Sequence, residues 1–259
     1  MNTSSNGYVM GFAVGVCVVI SAMLALTANV LKPIQEEAKE LDRQKNMLIA
    51  AGFVRPDEIK APAELKQIFH DRVKEVVIDT ETGAVVDGKD TGDVAKMNAE
   101  VLALAKKSGA DSAALKKAGS RYRPFAVGSG ADGKPDTYIL PVSGKGLWST
   151  IKGYMALEGD FNHVRGVTFY EHGETPGLGG ECENPAWCAQ WKGKTILDEQ
   201  GHLVGVGVKK GKVDPAVAAE KAHKVDGLSG STLTSNGITR FVKSDLDAFA
   251  KYLTSLRTK

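Results

Sequence analysis

With 259 residues, 42% of them hydrophobic, the chain is long enough for one large or two small domains built on a real core. A formal net charge of +2, with no basic stripe and no aromatic-interleaved basic run, gives no case for nucleic acid as a partner. Three cysteines are too few for a disulfide scaffold, and no internal repeat is present.

The first 31 residues carry no charged side chain. Positions 8–31 are apolar or small almost throughout, about the ~20 residues or slightly more that cross a bilayer as a helix. A cleaved signal peptide would bring a basic leader and a shorter apolar run. The sequence therefore predicts a short tail over 1–7 and an uncleaved transmembrane helix over 8–31. Gly7, Gly11 and Gly15 fall four apart, a stripe that lets another helix approach closely. Cys17 packs within this span. Lys32, Lys39, Arg43 and Lys45 follow the helix and nothing basic precedes it, so the positive-inside rule alone would put the remainder in the cytoplasm.

After Pro33, Ile34, Ala38, Leu41 and Leu48 recur at helical spacing, and the pattern stops near Gly52. A helical stalk and linker over 32–60 is expected, followed by a domain over 61–259. Pro62 opens a second helix through Leu65, Ile68 and Phe69, and Val73 to Ile78 reads as a strand closed by a turn at Thr82 and Gly83. Val94, Met97, Val101 and Leu104 mark one face of a helix from Val94 to Lys107. Gly128, Gly133 and Lys134 have the spacing of a nucleotide P-loop, but Pro135 stands where Ser or Thr is required, so the segment reads as a loop.

From Thr137 onward strands dominate: Tyr138 to Val142, Ile151 to Leu157, Val164 to Tyr170 and Leu203 to Val208 are β-branched or aromatic runs separated by glycine turns. Leu246, Phe249, Ala250, Leu253 and Leu256 then form the apolar stripe of a C-terminal helix. The expected fold is α+β, a twisted, mainly antiparallel sheet with flanking helices behind a single N-terminal transmembrane helix.

Three loops carry candidate chemistry. Gly144 to Trp148 combines glycines, which allow close backbone approach, with the flat surface of Trp148. Glu174 to Gly180 is a run of breakers that does not suit regular structure. Asp226 to Ser235 holds five hydroxyl residues and two glycines in ten positions ahead of an apolar-periodic segment. Its backbone N–H groups can converge on an anion at a helix start, with Thr234 or Ser235 as the cap. No metal site is expected: the Cys182 and Cys188 spacing fits neither zinc knuckles nor ferredoxin-type clusters, and the histidines are scattered. In an oxidising compartment Cys182 and Cys188 could close a small disulfide loop. A hydrolase built on Ser229 is a poor reading, because Ser231 stands where the nucleophile elbow needs glycine.

The hydroxyl-rich segment resembles the flavin-attachment motif of the FMN-binding domain family, with Asp226, Ser229, Gly230 and Thr232 at matching positions and Ser231 where the family usually has Ala. The resemblance implies that Thr232 holds FMN through a phosphoester bond made by a separate flavin transferase with FAD as donor. It extends to Gly146, Leu147 and Trp148, and to Glu174, Thr175, Gly177, Leu178 and Gly179, as segments lining the cofactor, with Leu233 and Thr234 beside the acceptor. Lys209 or Lys210 could add positive charge. With the anchor and the chain length, it is similar to the branch of that family found as electron-transfer subunits of membrane complexes that oxidise NADH, reduce quinone and translocate sodium. A place in the bacterial inner membrane with the domain on the periplasmic side is implied, against the charge rule. Without a GxGxxG fingerprint after a strand, the chain is not expected to oxidise NADH alone. Two other readings stay open: the related subunit of a ferredoxin-linked complex, and a cofactor-free anchored binding or assembly protein.

Overall fold

A computed structural model describes residues 6–257, so the first five residues of the expected 1–7 tail lie outside the described residues. The chain forms two compact units, one ending at Arg43 and the other beginning at Gln44. Helix α1, Asn6–Ala50, runs through Pro33; it is the one helix among the described residues long and apolar enough to cross a membrane. Its side chains up to Glu40 are exposed, whereas Met47, Leu48 and Ala50 near its end are buried. The stretch 44–60, expected as linker, thus belongs to the second unit. Thr168 Oγ1 donates to Asn46 O at 3.2 Å, and a Cβ on Gly166 would meet Ala50 O at 2.6 Å, so this end of α1 lies flat on a strand.

The second unit is built on a six-stranded, wholly antiparallel sheet of order β2-β1-β3-β4-β5-β6. Its strands are β1 Val73–Asp79, β2 Ala84–Val85, β3 Tyr122–Ser129, β4 Pro135–Lys145, β5 Thr150–Glu158 and β6 Val164–Glu171. Helix α2, Pro62–Arg72, starts on its proline, whose missing N–H is no loss at that position, and buries Leu65 and Phe69. Helices α3, Val94–Lys107, and α4, Ser112–Ala118, fill the β2–β3 connection. Asn98 clamps α3 to the sheet by exchanging two 2.8 Å hydrogen bonds with the Tyr122 backbone. The register of β4 on β5 runs unbroken from Thr137 opposite Glu158 to Lys145 opposite Thr150.

Beyond β6 come a 3-10 turn at Gly179–Glu183, the short α5, Pro185–Cys188, and a 3-10 turn at Ala189–Trp191. Strand β7, Gly207–Val208, then pairs in parallel with β8, Lys224–Val225, after α6, Ala218–His223. Finally α7, Thr232–Arg257, crosses the sheet. Ile238, Phe241, Val242, Leu246, Phe249 and Leu253 recur at i, i+3, i+4 spacing and are all buried against Phe125, Leu140, Val142 and Ile151. Each such side chain removed from water stabilises the fold by roughly 1.5–3 kcal/mol before entropy is charged. Two backbones meet closely: a Cβ on Gly144 would stand 2.3 Å from Phe241 Cβ, and one on Gly237 would stand 2.5 Å from Lys145 O. Asp245 locks this crossing, accepting from Ser143 N at 2.8 Å and from Arg123 Nη1.

Two expectations change. The segment read as a loop over Gly128–Pro135 is the tight connection of the β3–β4 hairpin, closed by Gly130 N donating to Lys134 O at 2.8 Å, with both ends in strands. The strand expected over Leu203–Val208 shrinks to β7, because Gly205 turns the chain at φ +74° and Leu203 makes only an isolated bridge to Leu197.

Candidate functional site

Loop 146–149 after β4, loop 172–180 after β6 and turn 226–231 before α7 converge at one point. Glu174 joins the first two to the helix. Only 5% exposed, its carboxylate accepts Trp148 N at 2.9 Å and Ser149 N at 3.1 Å on Oε1, and Leu147 N at 3.2 Å and Thr234 Oγ1 at 2.7 Å on Oε2. Burial pushes this carboxyl up, but the Thr234 hydroxyl and the three amides outweigh it and hold the group below the usual carboxylate range. Glycines make the approach possible: a Cβ on Gly146 would meet Glu174 Oε1 at 2.6 Å, and one on Gly179 would meet Thr234 Oγ1 at 2.8 Å and Glu174 Oε2 at 2.9 Å. Loop 174–180 folds back on itself, with Thr175 O accepting from Leu178 N and Gly180 N, and Gly177 at φ +75°.

Glu174 and Thr234 therefore face the protein interior and each other, not the site's open side. Thr234 is also not the helix cap, since α7 begins two residues earlier, at Thr232. The N–H groups at this start are among the first four that a helix leaves without intrahelical partners. Ser231 is 6% exposed, whereas Thr232 is exposed. Gly230, at φ +68°, turns the chain into the helix directly under Leu178, whose Cδ2 would lie 2.8 Å from a Cβ there. Leu147, Trp148, Leu178 and Leu233 are exposed apolar side chains on the three segments, and Ser229 and Thr175 are exposed beside them.

Asp226 has other partners. Its Oδ1 accepts Val213 N at 2.8 Å, its carbonyl accepts Trp187 Nε1 at 2.8 Å, and its N–H donates to Gln190 Oε1 at 3.0 Å. Lys209 is tied to Glu220 by an ion pair, while Lys210 is exposed. The disulfide that Cys182 and Cys188 could close is not formed in this structure: both thiols are free and buried, and Cys188 Sγ donates to Cys182 O at 3.2 Å. Burial raises both to about 12. Among the described residues no group of three potential metal ligands occurs. None of the expected site residues lines the open cleft of about 910 Å³ formed by Thr195–Gly207, α6 and α7.

FMN joins a flat, largely apolar ring to an anionic phosphate. An open helix start with an exposed hydroxyl and a rim of exposed apolar side chains suit that shape. Sequence reading did not foresee the roles of Ser149, Trp187 and Gln190; Ser149 Oγ accepts Gly173 N at 2.6 Å and joins two of the loops.

The family model for the FMN-binding domain matches residues 146–247, which include all three converging segments but only β5 and β6 of the main sheet. The NqrC subunit of the Na+-translocating NADH-quinone reductase of Pseudomonas aeruginosa is 41% identical over 261 residues, covering 99% of this chain and 98% of that protein. The chain belongs to the NqrC family of Na+-translocating NADH-quinone reductase subunits. NqrC of Yersinia pestis is 36% identical and covers 92% of the chain. Two solved NqrC structures, from Parabacteroides distasonis and Shewanella oneidensis, superpose with TM-scores of 0.65 each at 26% and 29% identity, covering 86% of this chain and 97% and 100% of theirs. The α+β architecture is thus that of NqrC.

Proposed function

We propose that this chain is the FMN-carrying electron-transfer subunit of a Na+-translocating NADH-quinone reductase, with the flavin phosphate esterified to Thr232 Oγ1. One observation carries the choice of acceptor: of the two adjacent hydroxyls, Ser231 is buried and Thr232 is open at the first position of α7. Bound there, FMN supplies reversible one- and two-electron chemistry. The chain's own residues supply the rest. The helix start offsets phosphate charge. Leu147, Trp148, Leu178 and Leu233 cover the apolar ring and exclude water. Glu174 and Thr234 hold the three walls together from within.

The bond is made by a flavin transferase. The attachment motif itself holds no obvious base for Thr232, and His223, nine residues upstream, uses Nδ1 toward Thr195 O at 2.7 Å. The transferase joins Thr232 Oγ1 to the FMN phosphorus of FAD, breaks the pyrophosphate bond and releases AMP. Helix α1 anchors the chain as a single pass in the inner membrane, alongside the other subunits of the complex, and the second unit lies on the periplasmic side. Covalent attachment suits that side, where lost FMN cannot be replaced from the cytoplasm. NADH oxidation and quinone reduction fall to partner subunits. The naming of the relatives favours this reading over the ferredoxin-linked one.

Intact-mass analysis of natively produced protein tests the proposal. An increment of one FMN that vanishes in Thr232→Ala supports it; a bare polypeptide mass leaves a cofactor-free anchored protein. Labelling of Ser108→Cys by a membrane-impermeant thiol reagent on intact spheroplasts supports the periplasmic side, and labelling only after lysis overturns it.

A further inference from the structure

The turn leading to Thr232 rests on a lysine-rich loop. Gly227 N donates to Gly211 O at 2.7 Å, and a Cβ on Gly227 would stand 2.3 Å from Lys209 O and 3.0 Å from Gly211 N, so the two backbones touch. Asp226 fastens the far side of this loop by accepting the Val213 N–H at 2.8 Å. Trp187 Nε1 and Gln190 Oε1 hold the Asp226 backbone in turn, at 2.8 and 3.0 Å. The near side is pinned by Lys209 N donating to Val225 O at 2.9 Å and by the ion pair of Lys209 with Glu220, whose carboxylate also accepts Asp214 N at 3.0 Å. Lys210 and Lys212, on either side of Gly211, are left exposed.

We propose that the Lys209–Val213 loop is the phosphate-side wall of the flavin site, with Asp226 as the positioning residue that holds Lys210 and Lys212 beside the acceptor turn. The proposal rests on Thr232 being the FMN acceptor. An aspartate beside an incoming FAD diphosphate would repel it if it faced the acceptor. Here one oxygen is engaged with a peptide N–H, and the loop it secures brings three lysines. The chain's contribution to the transfer is thus electrostatic and geometric, with Asp226 acting through Val213.

The test uses the full chain produced with a flavin transferase and FAD, following the FMN mass increment with time and the melting temperature of each variant. Asp226→Ala and Val213→Pro, which remove the two ends of the same hydrogen bond, should each slow loading by about tenfold or more, the scale of a misplaced wall. The double variant should be no slower than the slower single one. Asp226→Asn, whose Oδ1 still accepts the Val213 N–H, should stay within about threefold of the parent chain, since the bond's geometry survives. Lys210→Gln with Lys212→Gln should slow loading about fivefold and weaken its dependence on salt, with an unchanged melting temperature. Asp226→Asn as slow as Asp226→Ala, or the lysine pair variant loading at the parental rate, would overturn the proposal. Should Val213→Pro fail to fold, the Asn–Ala contrast and the lysine pair still decide. A parent chain that never gains the increment instead defeats the Thr232 assignment.

Discussion

The Thr234 hydroxyl donates to Glu174 Oε2 at 2.7 Å across a sequence separation of 60, tying the first turn of α7 to the loop after β6. Thr234→Val leaves that buried oxygen with a single 3.2 Å amide, from Leu147. The expected cost is about 1–3 kcal/mol, the penalty for a buried polar group stripped of a partner. Urea denaturation of the full chain in detergent measures it, and a change below about 0.5 kcal/mol would show that the bond adds nothing to stability.

Gly179→Ala should break the same bond from outside, since its Cβ would stand 2.8 Å from Thr234 Oγ1. A loss of about 1–3 kcal/mol is expected from the overpacking. Combined with Thr234→Val, the two losses should fall short of their sum, because both act on one contact. Full additivity in a double-mutant cycle would separate them.

Acid stability follows from the sign of the Glu174 shift. Its folded-state pKa is depressed, with burial raising it and Thr234 and the amides more than offsetting that. The stability it contributes is present above the ordinary glutamate value of about 4.3 and is lost as pH falls through the folded-state value. Glu174→Gln should therefore unfold more easily at neutral pH yet show a shallower fall of the urea midpoint below about pH 4. Parallel curves for the two proteins would count against it.

At the acceptor, Thr232→Ala should abolish the FMN increment while shifting stability by no more than about 0.5 kcal/mol, as an exposed position allows. Ser231→Ala should keep the increment. Flavin at Ser231 in the Thr232→Ala protein, read by peptide mapping, would reverse the assignment.

Cys182 and Cys188, buried and pushed up to about 12, should resist a disulfide-forming thiol reagent at pH 8 in the native protein and react once it is unfolded. Reductant should leave the melting temperature unchanged.

Much of the sheet was legible in the residues, as were the three segments that the fold brings together. The β-branched runs of β4, β5 and β6, the Pro62 helix start and the apolar stripe ending at Leu256 all describe elements that bury one clear face. Strand β3 gave no such signal: Arg123, Pro124 and Gly128 interrupt it, and it is held by register on both neighbours. Trp187 and Trp191 sit in short turns that no periodicity marks, yet each lies 6.0 Å from Phe169 in the core. The site's segments could be found by composition and motif, but not the direction their side chains take. Glu174 and Asp226 looked alike as loop carboxylates. Their different duties come from partners 60 and 13 residues away, a separation that local pattern does not encode.

The unbroken β4–β5 register has a practical meaning for anyone cutting the chain. A fragment trimmed to 146–247 would begin just past Lys145, removing the strand that satisfies one whole side of β5 from Thr150 to Glu158. The bare row of amides and carbonyls would seek other chains, and α7 would lose the floor on which Phe241 and Asp245 rest. The cofactor-bearing half is recognisable by itself but cannot stand by itself. Its solubility is underwritten by a strand that lies outside the matched segment.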